Sequence, residues 1–283
     1  MGGASIHGPQ YLLEANIVLV VIQYRLGPLE FLSTLSDKIP GNVGILDAIA
    51  ALELTQQYIK YFGGDANKVT VYGQSAGSAA VSAILHSPLV HNRPTRLFRS
   101  AILQSGSVFS PWAICETPIE SAQDIASRLD CNNTNSLVDC FLRAPVRGLL
   151  AAFNAHRSDT IKNRGYPYVA GTNIVVGGPS GLFPQHPKQY LWNATAGIAI
   201  MGGTTSQKGL FLLNEICNLQ PEKPKTLNDS LVLLAFVRLL HEKFGQVKLD
   251  GALEGNSILE HFNVTQVDQV NWNDLVLGFV DVS

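Results

Sequence analysis

Short apolar runs alternate with segments of helical periodicity along much of this chain. Runs at 17–22, 100–104 and 197–201 predict buried strands, and the β-branched run 17–22 is typical of a strand covered on both faces. A helix is predicted over 45–61, where apolar positions recur at helical spacing. From residue 210 onward the pattern is mostly helical. The alternation predicts an α/β fold with a doubly wound, mostly parallel sheet and flanking helices.

The strongest local signal is a strand-like run, 69–72, that leads into Gly73-Gln74-Ser75-Ala76-Gly77 and then into small helix-forming residues. This order predicts a strand, a sharp turn and a helix, with Ser75 strained at the turn and its hydroxyl above the sheet edge. We expect Gly73 and Gly77 to be pressed together where a Cβ atom would clash. The alternative is an ordinary Gly/Ser turn, but the flanking strand and helix favour a nucleophile elbow.

Composition bounds the remaining possibilities. The chain has 283 residues, of which 46% are hydrophobic and 15% charged, so it has enough apolar material for one large core. The net charge of −2 and the absence of a basic run argue against nucleic acid as a partner. We find no apolar run long enough to span a membrane. The four cysteines include no C-x-x-C pair, so zinc is not expected. No other metal or cofactor is implied.

Four Asn-x-Ser/Thr sequons indicate a secreted or extracellular parent protein. They are candidate glycosylation sites at Asn132, Asn193, Asn228 and Asn263. The chain begins with a Gly/Pro loop and reaches an apolar run by residue 17, with no signal peptide before it. We therefore expect the N-terminus of the parent protein to be missing.

Five segments together resemble the type B carboxylesterase/cholinesterase family of α/β-hydrolases, in the family's order and approximate spacing. They are residues 21–28, 41–47, 62–65, 73–77 and 104–107. The resemblance implies a partial α/β-hydrolase fold in one domain over 1–283, which we expect to be truncated at both ends. That domain would comprise a core sheet with the elbow at 1–110, a disulfide loop and irregular pocket-side segment at 111–195, and a strand plus helical segment at 196–283.

The resemblance also implies roles for individual residues. Those roles are Ser75 as nucleophile, the Ala76 N–H as an oxyanion donor, a Cys131–Cys140 disulfide and a buried Arg25–Asp47 ion pair. Cys115 and Cys217 have no obvious partner.

The catalytic acid departs from the family pattern. The family carries a Glu in a turn after a later strand, and the matching turn, 203–211, places Lys208 at that position. A cation there cannot accept the imidazole N–H and would oppose the imidazolium formed during attack. Glu215 or Asp229 could substitute, but neither matches the turn.

The base and the oxyanion loop are also unmatched. His241 and His261 follow the acid turn, but neither lies in a Gly-rich loop like that of the family histidine, and a packing or surface role is favoured for both. Lys208 as a Ser–Lys base is weaker still. Gly2-Gly3 matches the segment after the family's oxyanion loop rather than the loop itself, which would leave two of three donors absent.

Three hypotheses follow. The chain is a carboxylic ester hydrolase by family, acting on a small ester substrate, with low or no activity of its own. Alternatively, it is a non-catalytic cholinesterase-like adhesion or recognition module with a protein partner. The third hypothesis is a chain that does not fold alone.

Overall fold

A computed structural model of the chain describes residues 8–110, 112–129, 131, 136–164, 173–189 and 197–205. Contacts divide the chain into two compact units, residues 1–158 with 169–203 and residues 159–168 with 204–283. The site described below lies in the first unit.

Among the described residues, eight α-helices are present, several of them single turns. They are Gln10–Leu13 (α1), Pro28–Phe31 (α2), Val43–Tyr58 (α3), Ala76–His86 (α4), Pro88–His91 (α5), Pro118–Ser127 (α6), Leu137–Arg143 (α7) and Val146–Arg164 (α8). The predicted helix over 45–61 is confirmed as α3 followed by a 3₁₀ turn, Ile59–Phe62. Gly63 ends this segment in the left-handed conformation, φ 81°, which costs glycine little.

Three strands form the described part of the main sheet. They are Thr70–Gln74 (β1), Ser100–Gln104 (β2) and Ala199–Gly203 (β5), paired in parallel in the order β1-β2-β5. Two short strands, Ile114–Cys115 (β3) and Ile174–Val175 (β4), pair separately and also in parallel. The α/β class with a parallel sheet is therefore confirmed, although β5 lies two residues later than the run predicted at 197–201.

The register of the sheet aligns the carboxyl ends of its strands. Gln74 pairs with Gln104, and Gln104 pairs with Gly203, so all three strands end at the same level. Polar residues that follow parallel strands are therefore brought together at this edge, where such sheets place their working groups. The residue after β1 is Ser75.

The predicted strand at 17–22 is wrong for the described structure. Residues 17–26 have no strand assignment, and Ile17, Val18, Val20 and Val21 are each more than 40% exposed. A β-branched run needs a neighbouring strand and a covering layer to realise its preference. Among the described strands, β1 pairs only with β2, and none pairs with this run.

The region after β3 is more helical than predicted. The two helices expected over 118–150 are α6 and α7, but a third, α8, begins at Val146. It runs to Arg164 and so occupies part of the segment expected to be irregular. Together α6, α7 and α8 enclose a small apolar cluster that includes Ile125, Phe141 and Phe153.

The main core lies between the sheet and the helices α3 and α4. Ile45 and Ile49 of α3 and Ile84 and Leu85 of α4 are almost fully buried there, and Ala101 of β2 is 1% exposed. Burial of side chains of this size stabilises by about 1.5–3 kcal/mol each relative to exposure. This packing fixes the direction of α4, and therefore the position of the residue that precedes it.

Candidate active site

Ser75 lies between β1 and α4 in a strained conformation. Its φ of 56° and ψ of −121° are rare for a residue with a Cβ atom. The strain is held by hydrogen bonds on both sides of the residue, since Ser75 N donates to Gln104 O at 2.8 Å and Ser75 O accepts from Ala79 N at 3.0 Å. The side chain is exposed. The strand–turn–helix geometry predicted from the sequence is therefore confirmed.

The two elbow glycines have different roles. A Cβ atom at Gly73 would lie 2.3 Å from Gly77 O and 2.8 Å from Ser78 N, so only glycine fits there. A Cβ atom at Gly77 would meet no atom within 4 Å among the described residues. The predicted clash is therefore confirmed at Gly73 and wrong at Gly77. The backbone of Gly77 lies against the Cβ position of Gly73, whereas, among the described residues, the Cβ position of Gly77 faces open space.

The start of α4 provides electrostatic support at the same point. Ala76 is the first residue of the helix, and its N–H has no hydrogen-bond acceptor within the described part of the chain. Free N–H groups and the positive end of the helix dipole favour negative charge beside Ser75. Among the described residues, Ser75 Oγ likewise has no hydrogen-bond partner.

The turn after β2 presses against the elbow. A Cβ atom at Gly106 would lie 2.3 Å from Ser75 O, so this close approach requires glycine. Ser105 also has a positive φ, 53°, and its N–H donates to Gly203 O at 2.8 Å. Two neighbouring strands thus end in left-handed serines, each bonded to the next strand of the sheet. Only the first of these serines was singled out from the sequence.

Three polar residues of α4 at four-residue spacing face the loop that follows β2. Ser78 Oγ donates to Gly106 O at 2.6 Å, and Ser82 Oγ lies 3.3 Å from Ser107 Oγ. One turn further on, His86 Nδ1 bonds to Ser82 O at 2.7 Å, and its ring packs edge-on against Phe109 of the loop, with ring centroids 5.0 Å apart. Burial lowers the pKa of His86, and the nearby His91 lowers it further, whereas the hydrogen bond to Ser82 O acts in the opposite direction. We call Ser78, Ser82 and His86 the polar seam.

None of the four histidines in the described residues is bonded to Ser75. His86 belongs to the polar seam, His91 Nε2 bonds to Leu85 O, and His186 Nε2 lies 3.7 Å from the carboxylate of Glu116. The fourth, His156, is paired with an aspartate distant from the elbow in the sequence. Within the described ranges, each histidine thus has a partner other than Ser75.

The fourth histidine forms a carboxylate–imidazole pair that sequence reasoning missed. His156 Nδ1 of α8 lies 2.5 Å from Asp124 Oδ2 of α6, and Arg128 Nε donates to the same oxygen at 2.8 Å. Burial opposes ionisation of Asp124, but the bonds from Arg128 and His156 outweigh it, so the pKa of Asp124 is lowered. The two residues are 32 positions apart in different helices, and no local motif marks them.

Two predicted structural links form. Cys131 and Cys140 are disulfide-bonded, with Cα atoms 5.7 Å apart, and Cys115 is a free, buried cysteine. Arg25 Nε and Nη2 donate to the two carboxylate oxygens of Asp47, both at 2.8 Å. The prediction that this pair is buried is wrong, because the Arg25 side chain is 55% exposed. The guanidinium bonds nevertheless lower the pKa of Asp47.

Several predicted positions lie outside the described residues. These are Gly2-Gly3, the acid position Lys208, the alternatives Glu215 and Asp229, His241 and His261, Cys217, and the four sequons. In the described ranges no helix is long and apolar enough to cross a membrane, and no cluster of three or more His, Cys, Asp or Glu could hold a metal ion.

Comparison with known proteins bears on what such an elbow does. Juvenile hormone esterase of Tribolium castaneum is 30% identical over 99% of this chain and 48% of its own length. Esterase FE4 of Myzus persicae is 36% identical over 66% of the chain and 33% of its own length. Glutactin of Drosophila melanogaster is 33% identical over 76% of the chain and 21% of its own length. The chain thus spans a fifth to a half of these relatives.

The pattern of one family covers nearly the whole sequence. The carboxylesterase family matches residues 1–269, which include the elbow, the turn after β2 and the ion-paired Arg25 and Asp47. A parallel sheet whose strand leads through a strained serine into a helix agrees with the fold expected of that family. On these grounds the chain belongs to the carboxylesterase family.

Proposed function

We propose that this chain carries the nucleophile of a serine carboxylic ester hydrolase, with Ser75 attacking the ester carbonyl. The observation that carries the proposal is the strained, exposed Ser75 at the end of a parallel strand, directly before a helix. In the reaction, Ser75 Oγ would add to the carbonyl carbon while its proton passes to a base, and an acyl-enzyme would form as the alcohol leaves.

The Ala76 N–H is proposed as one donor to the oxyanion of the tetrahedral intermediate. It lies at the first residue of α4, and the dipole of that helix favours the negative charge that develops there. One such donor is typically worth about 10²–10³ in rate. This contribution comes from the backbone and does not depend on which ester the protein accepts.

The isolated 283-residue chain is proposed to turn over esters slowly or not at all. Lys208 occupies the position that matches the family's acid, and loss of a triad acid with geometry retained typically costs about 10⁴ in rate. We find no match in the chain to the family's histidine loop or to its Gly-Gly oxyanion loop. The four sequons support a secreted or extracellular parent protein.

Hydrolysis of 4-nitrophenyl butyrate by the chain and by its Ser75→Ala variant tests the proposal. The expected turnover is at least about 10³ below a median enzyme's 10 s⁻¹, and Ser75→Ala should remove what remains. Turnover near that median would refute the proposal that the isolated chain hydrolyses esters slowly or not at all. Residual hydrolysis that Ser75→Ala leaves unchanged would refute Ser75 as the nucleophile.

Lys208 also favours a second candidate, a non-catalytic cholinesterase-like adhesion or recognition module with a protein partner. A cation opposite the expected imidazole has no use in acyl transfer. Retention of Ser75 with its strained geometry argues against this candidate, since a binding module has no need of it. A binding screen against cell-surface partners that finds no hit, together with Ser75-dependent hydrolysis of a simple ester, would rule out the module.

A further inference from the structure

We propose that Ser78 is a positioning residue for the nucleophile, acting through the turn at Gln104–Gly106. This inference rests on the proposed role of Ser75 and extends it to the polar seam of α4. Ser78 does not point at the reacting centre, because its hydroxyl donates to Gly106 O at 2.6 Å and the residue is fully buried. Its effect on Ser75 is therefore indirect.

The turn holds the Ser75 backbone from two directions. Gln104 O accepts the Ser75 N–H at 2.8 Å, which fixes the amide side of the residue. Gly106 lies so close to the carbonyl side that a Cβ atom there would be 2.3 Å from Ser75 O. Any outward movement of this turn would release both constraints, and the positive φ of Ser75 would then be held only from its own strand and helix, as by the Ala79 N–H that donates to Ser75 O.

The hydrogen bond from Ser78 Oγ to Gly106 O prevents such movement of the turn next to the elbow. Ser78 lies three residues after Ser75, in the first turn of α4, and its hydroxyl donates a hydrogen bond to Gly106 O. The ideal Cβ position of Gly106 is also 3.2 Å from Ser78 Cβ, so the two segments are in close contact as well as bonded. The bond is partly buried and its donor, Ser78, is 0% exposed, so loss of the donor leaves a partly buried carbonyl without this partner, which is costly.

Ser82 provides a matched control within the same seam. It is one helical turn further on, 1% exposed, and its hydroxyl lies 3.3 Å from Ser107 Oγ. It bonds to the same loop through the neighbouring Ser107, and no hydrogen bond among the described residues joins its hydroxyl to Gly106 or to the elbow. A role that is merely structural would be shared by Ser78 and Ser82, whereas positioning of the nucleophile belongs to Ser78.

The test is hydrogen–deuterium exchange of the full chain, comparing wild type with Ser78→Ala, Ser78→Cys and Ser82→Ala. Ser78→Ala should speed exchange of the peptide spanning residues 73–79 by roughly 5- to 30-fold. Ser78→Cys, whose thiol is a weak donor, should give a smaller increase. Ser82→Ala should leave that peptide unchanged and affect only residues near 82–86 and 107–109.

Unchanged exchange of the 73–79 peptide in Ser78→Ala, or an equal increase in Ser82→Ala, would overturn the inference. Should Ser78→Ala fail to fold, Ser78→Cys replaces it: faster exchange of the 73–79 peptide in Ser78→Cys than in Ser82→Ala supports the inference, and equal exchange overturns it. Exchange does not depend on catalysis, so residual ester hydrolysis that Ser75→Ala leaves unchanged would refute the proposed function and leave this test intact. Where the slow modification of Ser75 by a fluorophosphonate is measurable, Ser78→Ala should slow it about 5- to 30-fold, and Ser82→Ala should not.

Discussion

Alanine substitutions at Gly73 and at Gly77 should have opposite effects on stability, although both glycines belong to the same pentapeptide. The methyl group of Gly73→Ala would lie 2.3 Å from Gly77 O and 2.4 Å from Gly77 C, about 1 Å short of an ordinary contact. Both atoms are backbone, so no side chain can rotate away. Overpacking of this kind typically costs about 1–3 kcal/mol, and more where the backbone cannot yield.

Gly77→Ala is the matched control. Its methyl group would meet no described atom within 4 Å, and Gly77 is the second residue of α4, where it has an ordinary negative φ. Alanine is preferred over glycine in a helix by about 0.5–1 kcal/mol. The two variants should therefore differ in free energy of unfolding by about 1.5–4 kcal/mol, with Gly77→Ala at or above wild type.

Urea unfolding followed by tryptophan fluorescence and by circular dichroism measures this difference directly. The reasoning fails if Gly73→Ala is as stable as wild type, or if both variants lose stability to the same extent. The second result would mean that the crowding at the elbow is shared between the two glycines, as the sequence motif alone suggested.

Three further outcomes are expected. Asn42→Ala removes two hydrogen bonds of a fully buried amide, one that Asn42 Oδ1 accepts from Val175 N at 2.8 Å and one that Asn42 Nδ2 donates to Val175 O at 2.9 Å. The substitution should cost about 3–5 kcal/mol in urea unfolding, against less than about 0.5 kcal/mol for the exposed Asn67→Ala. Replacing both cysteines of the Cys131–Cys140 disulfide with serine should cost about 2–3 kcal/mol, and a loss below about 0.5 would show that the bond adds little. The hydrogen bonds from Arg25 lower the pKa of Asp47, so the contribution of this pair to stability is present above about pH 4 and is lost as the pH falls through the folded-state pKa. Asp47→Asn should therefore flatten the acid limb of a profile of stability against pH, and an unchanged limb would contradict this.

The elbow could be predicted from the sequence because its determinants are local. A strand-forming run, a glycine with no room for a Cβ atom and a run of small helix-forming residues all lie within twenty positions of Ser75. The parallel sheet followed from the alternation of apolar runs and helical segments. The disulfide and the Arg25–Asp47 pair came from the resemblance and not from spacing, and only the exposure of the ion pair differed from expectation.

What the sequence could not provide depends on contacts between distant segments. The run at 17–22 has strand-forming residues, but whether it becomes a strand depends on a pairing partner, which the described sheet does not supply. The amide of Asn42 bonds to a strand 133 positions away. Ser78 looks like one more small helix residue until the turn at 104–106 is placed beside it. Each of these features becomes visible only when the segments are brought together.

Mass spectrometry of the chain after treatment with a fluorophosphonate tests the central claim most directly. We propose that Ser75 is mounted for attack while this chain lacks a complete set of groups to move its proton. The account predicts slow modification confined to Ser75 and absent from Ser75→Ala. Rapid stoichiometric labelling of Ser75, or earlier labelling of any other serine, would contradict it.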